Sequence, residues 1–337
     1  SFCAIPLIRG ELRSRKADDI VEEIENLVSK GIMEINLIGQ DLAAYGTGFS
    51  DNVFGTGRTS LPIVSEMGSS FETDEKSGLA LLLEKISKIE GDFIVRLLYI
   101  HPDHFNKDIL PIMKSDNRFL PYFDIPFQSG DDKIIKAMNR IGSAQNYISL
   151  VEEIKSVFPE AVLRTTFLTG FPGEDDFAAS NTKEFLMNIQ SAWSGCFPYS
   201  REEDTPAYDM KKRVSPKVAQ KRADTLCEIQ SEITKSFLKS HIGKEYDILI
   251  EEIIEGEDGL AIGRAWFQAP DVDGSVVVRY EKDIPEQNDA VQCGRFVRVK
   301  IETASDVDLN GLFICDSEKN SSSYDSELKF APEIQNK

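Results

Sequence analysis

Ala161-Val-Leu-Arg-Thr-Thr-Phe-Leu-Thr169 runs without a break into Gly170-Phe171-Pro172-Gly173-Glu174. An apolar, β-branched run of this length that stops at a glycine-rich turn predicts a buried strand and its exit. Helical spacing flanks it, over 144–158 before and from about 175 to 189 after. Outward from there the alternation repeats. Residues 17–30 predict a helix with Ile20, Val21, Ile24, Leu27 and Val28 on its apolar stripe and Gly31 as its stop. Residues 34–38 predict a strand that ends in Gly39-Gln40-Asp41. A helix over 79–89, strands over 93–100 and 122–127, and a helix over 131–140 complete the pattern. Such alternation predicts βαβ units and an α/β fold in which helices bury a parallel sheet. Ligands in such sheets sit at the carboxyl ends of the strands, where each glycine-rich turn falls.

Residues 47–78 interrupt this order with an insertion rich in Gly, Ser and Thr. It reads as a mobile surface loop, with a lid over the active site as the alternative. Ser215 opens a long amphipathic helix, Pro216 near its first turn, that connects two units over 215–241. Short strands follow over 246–254, 260–267, 275–279, 296–301 and 312–315, separated by Gly and Pro. Five short strands in so small a space predict a β-barrel of the OB-like kind. Residues 1–237 then form the α/β unit and 238–316 the barrel. The polar stretch 317–337 reads as a disordered tail.

The bulk numbers exclude several classes. No apolar run is long enough to span a membrane, and the first residues lack a signal-like stretch. Five cysteines, odd in number and unclustered, argue against a disulfide framework and for a reducing compartment, so a cytoplasmic location is expected. No paired Cys or His motif fits zinc, and no Gly-Lys-Ser/Thr follows Gly170 to make a phosphate loop. The net charge of −19 disfavours a nonspecific grip on nucleic acid and favours cationic partners.

Several motifs in order along the chain resemble the radical-SAM methylthiotransferase family. They are Phe2-Cys3-Ala-Ile-Pro6-Leu-Ile-Arg9-Gly10, Ile35-Asn-Leu-Ile-Gly39-Gln40-Asp41, Val95-Arg96-Leu-Leu-Tyr99-Ile-His101-Pro102 and Asp124-Ile-Pro-Phe-Gln128 with Met138-Asn-Arg140. Arg164-Thr-Thr-Phe167 with Gly170 to Glu174, and Phe197-Pro-Tyr-Ser200 with Thr205-Pro-Ala207, close the series. The resemblance implies a partial (β/α) radical-SAM barrel followed by an all-β TRAM domain. Cys3, with an aromatic before it, matches the last of three thiolates that hold a 4Fe-4S cluster with one iron open for S-adenosylmethionine (SAM). The two partner cysteines would lie just upstream, so an N-terminal part carrying them and a second cluster is expected beyond Ser1, and the stretch alone would be inactive.

The same resemblance implies that Gly39, Gln40 and Asp41 lie near the methionyl end of SAM and Gly170, Phe171, Pro172, Gly173 and Glu174 near its adenosine. Gln128 is a candidate for substrate contact. Arg96 and Arg164 are either paired with nearby acids or hold the SAM carboxylate by a bidentate contact. His101 and His104 read as loop or capping histidines. The family modifies either an adenosine of transfer RNA or an aspartate β-carbon of the small-subunit ribosomal protein at the decoding centre. Ile5 to Gly10, the Asp124 run, Arg164 to Phe167 and Gly263-Arg264-Ala-Trp-Phe-Gln-Ala-Pro-Asp-Val-Asp-Gly274 resemble the ribosomal-protein branch. Ser129-Gly130 looks like the transfer-RNA branch. Over 242–316, seventeen Asp and Glu stand against seven Lys and Arg. An acidic barrel suits a basic protein better than RNA. An external electron donor and a monomeric state complete the expectation, with a noncatalytic fragment as a further alternative.

Overall fold

A computed structural model of the chain describes residues 2–47, 53, 76–256 and 259–316. Most of the 47–78 insertion and all of the 317–337 tail lie outside the described residues. The helices are α1 (Ile5–Arg9), α2 (Ala17–Ser29), α3 (Gly78–Ile86), α4 (Ile109–Ser115), α5 (Asp132–Ala137), α6 (Ala144–Val157), α7 (Asp176–Ile189), α8 (Pro216–Lys239) and α9 (Pro285–Ala290). Five strands form one sheet: β1 (Glu34–Ile38), β2 (Ile94–Leu98), β3 (Phe119–Asp124), β4 (Val162–Thr169) and β5 (Trp193–Pro198). They lie in sequence order and pair in parallel throughout. A second group closes into a barrel: β6 (Glu245–Ile253), β7 (Leu260–Arg264), β8 (Val276–Arg279), β9 (Phe296–Ala304) and β10 (Leu309–Asp316).

Local chemistry explains several helix starts. Asp131, Ser143, Asp175 and Ser215 each accept a backbone N–H with their side chains at the starts of α5, α6, α7 and α8. These caps satisfy donors that have no partner inside the helix. Several elements depart from the periodicity, α1 and α9 among them, as do β3, β5 and α4. β3 begins at Phe119 rather than 122, with Pro121 inside it, and the β2–β3 pairing slips between Val95 and Leu97. A proline has no N–H for the ladder, and that irregularity accommodates it. β5 and α4 escape the sequence pattern because Gly195 and Pro111 break their runs.

Alternation along the strands makes two cores. Val95, Leu97, Phe123, Leu163 and Phe167 face α2, α3, α4, α6 and α7 in one apolar cluster. Ile94, Leu120, Tyr122, Val162 and Trp193 face the other way, into a cluster shared with Tyr246, Trp266, Phe267 and the barrel interior. The barrel therefore takes the place of a helical layer on the second face of the sheet.

The loop from Arg264 to Asp273 makes that contact. Glu34, with a side chain 5% exposed, lies between Arg264 Nη2 at 2.6 Å and Arg96 Nε at 3.0 Å. Burial pushes its carboxyl up, but the two guanidinium groups outweigh that and hold it below the usual carboxylate range. Arg96 also donates to the Trp266 carbonyl at 2.7 Å and stacks over Tyr122. Trp193 Nε1 donates to the Phe267 carbonyl at 2.9 Å. Behind α8, His241 stacks on Phe267 and meets the Tyr246 hydroxyl at 2.6 Å.

Two outcomes follow from this seam. Glu34→Ala leaves a wholly buried Arg96 without its carboxylate, which costs about 3–5 kcal/mol; urea denaturation of the variant reads the loss. His241 is buried, and burial pulls its pKa from 6.5 down to about 4, with nearby Lys244 adding to the effect. Between those values the unfolded chain binds the proton and the folded one does not. Stability is therefore full above pH 6.5 and falls as pH drops toward 4, by about 3 kcal/mol from this group. His241→Phe flattens that part of the stability–pH curve, and an unchanged slope would contradict the assignment.

Candidate active site

The carboxyl ends of the five parallel strands form one edge, and the motif residues gather along it. Gly39, Gln40 and Asp41 follow β1 directly; Tyr99 and His101 follow β2; Asp124 ends β3 and Gln128 lies four residues on; Gly170 and Phe171 follow β4; Tyr199 follows β5. Cys3 reaches the same edge through its neighbour. The Phe2 ring packs edge-on against Phe171 at 6.2 Å, and Phe171 against Tyr199 at 5.3 Å. The Cys3 residue itself is exposed.

Two residues of this edge hold left-handed backbone that an L side chain rarely adopts: Tyr99 at φ 61° and Gln128 at φ 71°. Such strain persists only where the surroundings over-determine it, and it concentrates at functional sites. Gln128 is fixed by its neighbours in the ladder, donating to the Thr166 carbonyl at 2.8 Å and accepting from Leu168 N–H at 2.9 Å. Tyr99 donates its N–H to Asp124 Oδ2 at 3.2 Å and accepts from Leu42 N–H at 2.9 Å. Its side chain stays 45% exposed.

The two glycines at strand exits differ in cause. Gly170 has φ 76°, and a Cβ there would lie 2.2 Å from the Ala219 Cβ of α8. Its identity is set by helix packing. Glu174 turns back on this exit, its Oε2 accepting from the N–H groups of Gly170 and Phe171, while Oε1 faces Arg222 at 3.3 Å. Phe171, Pro172 and Glu174 are buried and only Gly173 is open. Gly39 has no such neighbour: a Cβ would meet nothing nearer than 3.7 Å. Among the described residues no contact requires a glycine there, which leaves room for a ligand's close approach.

Both candidate arginines are engaged with protein partners. Arg96 joins Glu34 and the Trp266 carbonyl, as described. Arg164 Nη1 donates to Asp124 Oδ1 at 3.3 Å, and its Nε lies 3.4 Å from Asp273 Oδ1 without hydrogen-bond geometry. Each arginine thus has a carboxylate within 3.4 Å. His101 Nδ1 accepts from Asp103 N–H and caps a short turn, and His104 pairs with Asp41 Oδ2. Burial, then Arg140, pulls His101 down to about 4, whereas the Asp41 carboxylate raises His104. Ser129 and Gly130 lie against α7: Thr182 Oγ1 bonds both, and a Cβ on Gly130 would overlap Phe185. Helix packing alone accounts for that pair.

The sequence missed Asp103, Asp124, Arg140 and Asp273 as organisers of the edge. Asp103 accepts from the Ile141 and Gly142 N–H groups and from the Tyr147 hydroxyl. Among the described residues no three His, Cys, Asp or Glu side chains converge to hold a metal.

The Radical SAM superfamily model matches residues 1–186, more than half of the chain. This chain belongs to the Radical SAM superfamily. A TRAM domain matches residues 242–314, the barrel. The chain is 49% identical over 326 residues to the ribosomal protein uS12 methylthiotransferase RimO of Treponema denticola, covering 93% of this chain and 66% of that relative. It is 35% identical over 315 residues to the protein of the same name from Thermotoga maritima, covering 93% and 65%. It thus spans just under two thirds of the length of these relatives. Among solved structures, coproporphyrinogen III oxidase (HemN) of Escherichia coli aligns with a TM-score of 0.40 at 11% identity, over 48% of this chain and 38% of that one.

On the barrel, the aromatic side chains Tyr246, Trp266, Phe267, Tyr280 and Phe296 are buried and Phe313 is half-buried. Three of its arginines are neutralised by carboxylates: Arg264 by Glu34 and Glu251, Arg279 by Glu302, and Arg298 by Asp247 at 2.7 Å. The described surface of the barrel offers no exposed aromatic platform for stacked bases.

The two exit glycines are separable by mutation. Gly170→Ala combines a steric overlap with a left-handed φ and costs about 2–4 kcal/mol. Gly39→Ala has space and costs less than about 1 kcal/mol. Urea midpoints of the two variants check the contrast.

Proposed function

We propose that this chain is the SAM-binding and TRAM part of a methylthiotransferase that modifies an aspartate β-carbon of the small-subunit ribosomal protein at the decoding centre. The observation that carries the reading is the parallel-sheet edge where Gly39, sterically unexplained by the described residues, and two strained residues follow successive strands, and where Phe2, next to Cys3, packs on Phe171. The likeness to curated uS12 methylthiotransferases over 93% of the chain supports the substrate.

Gly39-Gln40-Asp41 fits SAM, because the turn is exposed or half-buried and lacks a Cβ where a ligand would press against the backbone. Cys3 fits one ligand position of an iron–sulfur cluster, and the other thiolates are not among the described residues. When bound, cluster and SAM supply removal of a hydrogen atom from an unactivated carbon, which acid–base chemistry cannot achieve. The chain's own residues orient and enclose. Phe2, Phe171 and Tyr199 form an apolar wall beside Cys3 that excludes water. Gln128, held rigid in the β3–β4 ladder, presents an amide for substrate contact. Gly170 to Glu174 close the adenosine side as a pre-formed turn. An external one-electron donor in the cytoplasm completes the requirement.

The barrel favours a basic protein over transfer RNA. Its acidic excess, its neutralised arginines and its buried aromatics are the reverse of a single-strand binding groove. Disruption of the gene should abolish the methylthio group on the ribosomal protein, read by mass spectrometry of the peptide. A modified aspartate that survives disruption would sink the reading, and loss of methylthioadenosine from transfer RNA would move it to the other branch. In purified protein, Gly39→Val should weaken SAM binding at least ~10-fold while leaving the urea midpoint in place.

A further inference from the structure

A continuous chain of contacts leads from the barrel to the SAM-facing turn. It starts at Asp273, at the end of the 264–273 loop. Asp273 Oδ2 accepts from the Tyr122 hydroxyl at 2.5 Å and from Ala269 N–H at 2.8 Å, which fixes the carboxylate on the loop and on β3 together. Its other oxygen faces Arg164 at 3.4 Å. Arg164 in turn donates to Asp124, and Asp124 accepts the Tyr99 N–H. The Tyr99 carbonyl takes the N–H of Leu42, the residue directly after Gly39-Gln40-Asp41. Asp41 closes the loop of contacts by accepting from His101 N–H at 3.3 Å.

Each step is buried enough to matter. The side chains of Asp273 and Asp124 are 1% and 3% exposed, and that of Arg164 is 16% exposed. Charged pairs this far from water are weakly screened, so a change at one end is felt by the next group. The last link is the strained one. Tyr99 at φ 61° needs an external hold on its peptide, and Asp124 supplies it.

We propose that the barrel loop is a positioning part of the SAM site, in which Asp273, acting through Arg164 and Asp124, holds Tyr99 and thereby the Gly39–Asp41 turn. None of the three charged residues need touch SAM. The TRAM domain then has two roles, since the same domain that presents an acidic surface also braces the cofactor turn. The proposal rests on the reading of Gly39–Asp41 as the SAM turn.

The experiment compares the holoenzyme with its Asp273→Asn variant, and uses Asp289→Asn, an exposed acid of the same barrel, as control. Asparagine keeps the size of Asp273 but removes the charge facing Arg164. Two readouts are taken: SAM affinity by equilibrium dialysis, and amide hydrogen exchange at Tyr99 and Leu42 relative to α6. Asp273→Asn should weaken SAM binding ~5–20-fold, in the usual range for coupled sites. It should also speed exchange at Tyr99 and Leu42 ~10-fold over α6, while Asp289→Asn matches wild type. Normalising to α6 separates a local release from general destabilisation. An unchanged exchange ratio overturns the proposal, and so does a raised ratio with wild-type SAM affinity. If wild type itself fails to bind SAM, the functional reading falls, and the exchange ratio alone decides whether Asp273 holds Tyr99.

Discussion

The Glu34 carboxylate, buried between Arg96 and Arg264, determines where the barrel sits on the sheet. Removing three charges from water costs several kcal/mol for each, and close pairing does little more than offset that cost. The contribution of such a cluster is therefore placement more than net stability. A seat shifted by one residue would leave a wholly buried guanidinium without its acid. The apolar cluster that joins Ile94, Tyr122 and Trp193 to Phe267 supplies the attraction, and the ion cluster selects one geometry for it.

That seat has a consequence for the opposite end of the strands. A parallel sheet normally needs layers on both faces, and here helices cover one while the barrel loop covers the other. The loop reaches Arg96 and Arg164, midway along β2 and β4, and stops short of the strand exits. The carboxyl edge thus stays accessible above a filled interior. That edge carries two of the left-handed non-glycine residues, Tyr99 and Gln128, and the interior beneath supplies the rigidity that maintains them.

Periodicity made the alternating α/β order and the small barrel legible, because both depend on runs of apolar side chains with a fixed period. β1 matches its expected span to the residue, and α6 and α7 differ from theirs by one position at an end. β3 was misplaced because a proline inside a strand normally argues against one, and only the slipped pairing with β2 shows how Pro121 is tolerated. At the edge, motif likeness found Gly39, Gly170 and Gln128, yet spacing alone cannot say why a glycine is required. Gly170 answers to Ala219, forty-nine positions later, and Gly39 to nothing among the described residues. The partners of Arg96 and Arg164 were illegible for the same reason: Trp266 and Asp273 are contacts of tertiary structure, more than a hundred residues distant.

Charge placement on the barrel links the seat to the character of the outer surface. A domain with seven basic residues could still form a local cationic groove, whatever its net charge. Here Arg264 is turned inward to Glu34, while Arg279 on β8 pairs with Glu302 on β9 across β10, and Arg298 on β9 with Asp247 on the adjacent β6. Three of the seven basic groups are thus used to fasten the barrel to the sheet and its strands to each other. What remains outward is predominantly carboxylate, spread over a rigid scaffold. Such a surface repels a nucleic-acid backbone at long range and speeds encounter with a cationic protein. Seating the barrel and leaving an acidic outer surface are therefore two results of one arrangement of arginines.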